Sequence, residues 1–306
     1  MRDVSNKITT LRIATAKAIL EVSPKTILRI KNGTVPKGDA LTIAKVAAVQ
    51  SAKNCANIIP YCHPLPIDFV GCDFILQRNK IFITTTVKAI YKTGVEMEAM
   101  MAASVAALTL YDMLKMIDEK MKIVSVELVE KRGGKSDFKD DFVKELRAAV
   151  LVMSDSISAG KKSDKSGKMI VERLKSFGIK VVDYKIISDD TKEIESAVKY
   201  YCDKMKVDLM ISTGGTGFTP RDNTPEAIKN LVEKEIPGIV EAMRTYGQAR
   251  TPYAMFSRAI AGLRGKSLIL TLPGSTGGVI DALDSLFPSV FHSFKMVMGG
   301  SHKRRK

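Results

Sequence analysis

Apolar residues recur along this chain with two different rhythms. In the first half, residues 11–20 are dense in Leu, Ile and Ala and predict a helix, which Pro24 interrupts. Gly33 and Gly38 bracket a turn, and Asp39 opens a second helix over residues 40–53. A loop with Pro60, Pro64 and Pro66 follows. Residues 67–76 and 80–91 then read as strands joined by a turn at Arg78-Asn79. Beyond Gly94, residues 95–118 predict a long helix that is apolar on most sides and therefore buried. A strand over 123–130 ends at Gly133-Gly134, and this half is expected to be α+β.

Between residues 137 and 147 the sequence becomes charged and loses its period, which reads as a linker between a unit at 1–137 and one at 148–306. The second rhythm is an alternation of strands at 148–153, 179–187, 207–212 and 267–272 with helices at 165–177, 192–204, 225–234, 237–244, 279–286 and 289–298. Repeated βα units predict an α/β domain with a mostly parallel sheet covered on both faces.

Composition narrows the function classes. At 45% hydrophobic the 306-residue chain is neither disordered nor collagen-like. Its longest apolar run, residues 99–110, falls short of the roughly 20 residues of a membrane span, and no secretory pattern is read at the N-terminus, so a cytoplasmic, membrane-free protein is expected. The four cysteines, Cys55, Cys62, Cys72 and Cys202, lack zinc-ligand spacing, and disulfides are not expected. A net charge of +15 suggests anionic partners. Nucleic acid is disfavoured for want of a base-stacking aromatic motif, and the basic cluster at residues 302–306 reads as a solvated tail.

Candidate chemistry in the first half centres on the predicted long helix. Glu98 and Asp112 are 14 positions apart and share one stripe, yet stand about 21 Å apart along the axis. Either one of them is structural, or a neighbouring subunit completes the site. Asp112 and Lys115, at i,i+3, form either a surface ion pair or, if the lysine is partly desolvated, an acid–base couple. His63 is either a loop residue or a phosphate contact or proton carrier. Lys37-Gly38-Asp39 and Gly133-Gly134-Lys135-Ser136 are either turns or anion sites. Together with Asp3-Val4-Ser5-Asn6-Lys7, Ile59-Pro60-Tyr61-Cys62-His63-Pro64-Leu65, Thr93-Gly94-Val95-Glu96-Met97-Glu98 and Tyr111-Asp112-Met113, these segments resemble cyclic pyranopterin monophosphate synthase across residues 3–137. The resemblance implies a ferredoxin-like fold and a homo-oligomer with active sites between subunits. It also implies rearrangement of a cyclised dihydro-GTP with expulsion of diphosphate. Asp112 would be the acid/base residue, assisted by Lys115, Lys37 and Lys135, with Tyr61, Cys62, His63, Met97 and Glu98 contacting substrate.

In the second half, a predicted strand runs into Thr213-Gly214-Gly215-Thr216-Gly217, at the sheet edge where α/β folds bind ligands. Asp155, Asp189, Asp222 and Pro273-Gly274-Ser275 converge on that edge, and two carboxylates, Asp189 and Asp222, suit magnesium bridging nucleotide phosphates. The segments around Ser154-Asp155-Ser156, Gly214 to Asp222, Ser257-Arg258 and Leu272-Pro273-Gly274 resemble molybdopterin adenylyltransferase over about residues 148–298. That resemblance implies transfer of AMP from ATP to molybdopterin with Mg2+. Asp189 and Asp222 would be the catalytic carboxylates and metal ligands, Gly214, Gly215, Thr216 and Gly217 would hold nucleotide, and Ser257 and Ser275 would face the pterin. The alternative is a non-catalytic molybdopterin-binding carrier.

Overall fold

The computed structural model describes residues 1–138 and 145–299, except the side chains of Lys135 and Ser136. It divides into two compact units, Met1–Asp137 and Phe138–Lys306. Residues 139–144, most of the expected linker, and the basic cluster at 302–306 lie outside the described residues.

The first unit begins with a strand where a helix was expected. Strand β1 (Thr10–Glu21) buries Arg12, Ala14, Ala16, Ala18 and Leu20 and turns Ile13, Thr15, Lys17 and Ile19 to the other face. The period is two, and the alanines that suggested a helix are the residues of its buried face. They are small because an alanine-rich helix lies against them, and a second packs on that helix in the same core. Helix α2 (Ala40–Lys53) presents Ala40, Ala44, Ala48 and Ala52, and α4 (Glu96–Leu114) presents Ala99, Ala102, Ala103, Ala106 and Ala107 to the same core. Pro24 starts a helix instead of ending one. It occupies the first turn of α1 (Pro24–Lys31), where a missing N–H costs nothing, and the Ser23 hydroxyl caps the Thr26 N–H at 3.2 Å. The short helix α3 (Cys55–Ile58) leads into the proline loop.

Strands β2 (Phe69–Leu76), β3 (Lys80–Tyr91) and β4 (Lys122–Arg132) complete a sheet of order β2-β3-β1-β4 in which every neighbour is antiparallel. β1 and β2 therefore run the same way with β3 between them, and β3 and β4 do so around β1, giving two interleaved β-α-β units. Among the described residues, α4 is the one helix long and apolar enough to cross a membrane, which the shorter run at 99–110 did not indicate. In the fold 50% of that window is buried, against α2, β1 and β3.

In the second unit, β5 (Arg147–Met153), β6 (Lys180–Ile187), β7 (Leu209–Thr213) and β10 (Ser267–Leu272) are parallel, in a sheet of order β6-β5-β7-β10-β9-β8. Alternate β5 residues feed opposite cores. Ala148 and Val150 pack with α6 (Ser166–Ser176), α9 (Pro237–Gln248) and α10 (Thr276–Leu286), while Ala149, Leu151 and Met153 pack with α7 (Thr191–Lys199) and α8 (Thr224–Lys229). Two antiparallel strands, β8 (Lys234–Glu235) and β9 (Ala261–Arg264), extend the sheet where no strand was expected. They are short, and β9 contains Gly262, whose lack of a Cβ lets the Lys234 carbonyl approach. The helix expected at 225–234 therefore ends at Lys229, and the one at 192–204 closes with a π-helical turn, Tyr200–Lys204. Because four strands are parallel, their carboxyl ends at Met153, Ile187, Thr213 and Leu272 share one edge.

Candidate functional site

In the first unit a cavity of about 700 Å³ is lined by the cations Arg2, Lys7, Arg12, Lys131 and Arg132 together with Tyr61, Cys62, His63, Met97 and Glu98, among others. The proline loop after α3 positions Tyr61 to His63, the first turn of α4 positions Met97 and Glu98, and β1 contributes Arg12. Arg12 is 6% exposed and donates to the carbonyls of Tyr91 (3.1 Å) and Lys92 (3.2 Å). Burial pulls its guanidinium pKa down, opposed by Glu96 and Asp137. Gly133 sits at φ +98°, and a Cβ there would collide with the Leu11 carbonyl, so only glycine lets β4 end against β1.

Glu98 is 4% exposed. Burial raises its pKa and Glu96 adds repulsion, partly offset by a backbone hydrogen bond and the Cys55 thiol. The Cys55 thiol is pushed up to about 12 by burial and then by Glu98, and burial also raises Cys62. Both thiols are therefore protonated at neutral pH, and neither is an activated nucleophile.

Lys37, Asp112 and Lys115 form a separate cluster at the far end of α4. Lys115 Nζ lies 2.7 Å from Asp112 Oδ1 and Lys37 Nζ 2.8 Å from Oδ2, and Lys37 also donates to the Asp112 carbonyl at 2.9 Å. The hydrogen bonds from Lys115 and Lys37 hold Asp112 down to about 2. Within one chain Lys115 is not the partly desolvated lysine that an acid–base couple needs. The Lys115 side chain is 55% exposed, and Asp112 raises its pKa. None of the three lines the cavity. The Lys135 side chain lies outside the described residues. The cationic wall was missed from sequence, although an arginine in phase with Ala14, Ala16 and Ala18 was a legible signal once the strand period is recognised.

In the second unit a cavity of about 350 Å³ at the carboxyl edge of the sheet is lined by Ser154, Asp164, Lys165, Asp189, Gly214 and Gly215, among others. Gly214 (φ +104°) and Gly215 (φ +59°) hold the turn after β7, and a Cβ on Gly214 would strike the Met153 carbonyl. Thr224 Oγ1 donates to Gly214 O at 3.1 Å. Asp155 and Asp189 exchange backbone-to-carboxylate hydrogen bonds, both 3.1 Å. Asp189 Oδ1 remains buried without a partner. Burial raises the Asp189 pKa, and Asp155 and Asp222 add repulsion. Asp222 Oδ2 accepts from Thr219 N (2.8 Å) and Oγ1 (2.6 Å), and a Cβ on Gly217 would lie 2.8 Å from it. Thr216 is buried beneath the turn instead of lining the cavity.

Arg258, which sequence reasoning did not place in the site, braces this loop. Its guanidinium donates to Gly217 O and Asp222 O, both 2.6 Å, and pairs with Glu226. Ser257 and Ser275 line a neighbouring, mainly apolar cavity of about 320 Å³. Ser275 Oγ caps α10 through Gly278 N at 3.2 Å, whereas Ser257 Oγ is buried without a partner. No group of three or more metal-ligating side chains occurs among the described residues; Asp189, with its orphaned Oδ1, lines this cavity, whereas Asp222 does not line it.

Residues 1–134 match the MoaC family, and residues 149–292 match the family described as "Probable molybdopterin binding domain". A molybdenum cofactor biosynthesis bifunctional protein of Chlorobaculum tepidum is 39% identical over 302 residues, covering 99% of this chain and 96% of that protein. A cyclic pyranopterin monophosphate synthase of Clostridium perfringens is 49% identical over 138 residues, 44% of this chain and 87% of that enzyme. The crystal structure of the molybdopterin biosynthesis enzyme MoaB from Thermus thermophilus is 37% identical, with a TM-score of 0.49 over 52% of this chain and 99% of that one.

Proposed function

The chain belongs to the molybdenum cofactor biosynthesis bifunctional proteins, and on that premise we propose that its first unit converts a cyclised dihydro-GTP to cyclic pyranopterin monophosphate with release of diphosphate, while its second unit adenylylates molybdopterin with MgATP. For the first unit the carrying observation is the division of chemistry along α4. A cationic cavity with a buried Glu98 lies at one end, and a fixed Lys37–Asp112–Lys115 cluster at the other. Arg2, Lys7, Arg12, Lys131 and Arg132 bind the triphosphate, Tyr61, Cys62, His63 and Met97 contact the ring system, and Glu98, whose pKa burial raises, is the proton-exchanging group of the cavity. Asp112, assisted by Lys37, Lys115 and Lys135, exchanges the second proton. Since about 21 Å separates Glu98 from Asp112, the working unit is a homo-oligomer in which Asp112 of one subunit serves the cavity of another. Burial there desolvates Lys115. The strand order and the two interleaved β-α-β units support a ferredoxin-like fold.

For the second unit the carrying observation is the orphaned Asp189 Oδ1 beside a glycine turn. Asp189 and Asp222 would hold Mg2+. When bound, that ion polarises the phosphate under attack and neutralises charge on the departing diphosphate. Backbone N–H groups of Gly214 to Gly217 hold nucleotide, Arg258 keeps their loop in place, and Ser257 and Ser275 face the pterin. Incubating the purified chain with MgATP and molybdopterin should release diphosphate and yield adenylylated product. Binding of molybdopterin without product at any magnesium concentration would establish the carrier reading instead. Soluble pterin and nucleotide substrates favour the cytoplasm as the place of this work.

A further inference from the structure

The apolar cavity of the second unit contains a charge that adenylyl transfer does not use. It lies between α9, α10 and the 3-10 turn Pro252–Phe256, with Val240, Met243, Ala254 and Ala282 in its walls. Asp281, on α10, contributes a carboxylate to that wall. Its Oδ1 meets Arg250 Nε at 3.4 Å, and the Arg250 guanidinium is itself stacked 3.3 Å over the Tyr246 ring, outside the cavity lining. The Asp281 side chain is 22% exposed. Burial raises the pKa of this carboxyl, with Arg250 opposing. The neighbouring acid, Asp284, is already engaged by Arg173 at 2.7 Å. Ser257 Oγ is buried without a partner in the wall of the same cavity.

A buried hydroxyl without a partner is costly unless a ligand completes its hydrogen bond, and the Asp281 carboxylate in the wall of the same apolar slot offers a charged acceptor beside it. The complementary ligand is flat, with apolar faces and two adjacent N–H donors on one edge. A 2-amino-4-oxo pteridine has that edge, in its ring N–H and exocyclic amine, and a carboxylate accepts such a pair side by side. Resting on the reading that Ser257 and Ser275 face the pterin, we propose that Asp281 is the specificity-determining residue of this cavity, pairing with the 2-amino edge of the ring and rejecting rings that carry oxygen there.

The test is a fluorescence titration of the full chain, without ATP, with neopterin monophosphate and with the lumazine of the same side chain, which has a carbonyl in place of the 2-amino group. The unmodified chain should bind the pterin about tenfold or more tighter than the lumazine, because the carbonyl faces a carboxylate and leaves it unpaired. Asp281→Asn, checked by its melting temperature, should bring the two affinities within about twofold of each other, since the amide can face either ring. Equal affinities in the unmodified chain overturn the inference whether or not the variant folds. So does absence of saturable binding, or an undiminished preference in Asp281→Asn. Displacement of the pterin by MgATP in simple competition also overturns it, because the cavity would then be the nucleotide's. A chain that discriminates the rings yet transfers no AMP loses the enzyme reading and keeps this one.

Discussion

A single carboxylate shows how context assigns a role. Asp112 is exposed, and two lysines hold it near 2, so its charge is constant at any working pH and cannot shape a pH profile by itself. Asp112→Asn is nearly isosteric and removes the proton acceptor. It should abolish formation of cyclic pyranopterin monophosphate while leaving the oligomer unchanged on size-exclusion chromatography, and near-normal turnover in the folded variant would refute the assignment. Any limb in the pH–rate profile then belongs to another group. Glu98, whose pKa burial raises above the ordinary value of about 4.3, is the buried carboxyl among the cavity's titratable groups. Glu98→Gln should remove that limb, which a profile from pH 5 to 9 measures. Gly214 is a residue whose side chain is its absence. At φ +104° with the Met153 carbonyl in the way, Gly214→Ala should destabilise the second unit by about 1–3 kcal/mol and weaken ATP binding, as melting and nucleotide titration would show. At this scale the sequence was readable where arithmetic sufficed, as for the spacing of Glu98 and Asp112. It was silent on Arg12, Lys131 and Arg132, because surface cations and cavity cations look alike until strand ends are brought together.

Elements were legible where their period was unambiguous. Helix α2, β3 and β10 begin and end where the pattern put them. β1 was lost because alanine is read as a helix former, although the buried positions Ala14, Ala16 and Ala18 alternate. Tertiary packing against the small-residue helix α4 outweighs that propensity. The start of α1 was lost for a related reason, since proline ends helices and also begins them. Asp118 secures that start. Its Oδ2 accepts from Ser23 N (2.6 Å) and Thr26 Oγ1 (2.8 Å), tying the segment after α4 to the head of α1. Burial pushes the Asp118 pKa up, but these bonds and one from Lys120 N win, and the net shift is downward. A lowered folded-state pKa stabilises the protein above the unfolded value of about 3.9, and that contribution fades as pH falls through the folded value. Asp118→Asn should therefore cost about 1–3 kcal/mol at pH 7. The gap in melting temperature from the unmodified chain should narrow toward pH 3, and a gap independent of pH would remove the carboxylate's charge from the account.

At the scale of the whole molecule, the change from antiparallel to parallel pairing separates two chemistries that need not communicate. Asp222→Asn, which disturbs the Thr219 contacts and a proposed metal ligand, should lower adenylyl transfer by about 10- to 100-fold and leave first-unit turnover unchanged, with both assays run on one preparation. Refolding inactive Glu98→Gln and Asp112→Asn chains together should restore part of the first activity, since hybrid oligomers contain some cavities with both groups intact. Confirmed mixed oligomers without recovery would count against sites shared between subunits. The division into Met1–Asp137 and Phe138–Lys306 on one polypeptide also fixes a ratio. Each first unit made is accompanied by one second unit, so no promoter, message half-life or translation rate can change their proportion. Their relative output is adjustable only through turnover numbers and substrate supply, and a lesion that sends one half to a protease lowers the copy number of the other as well.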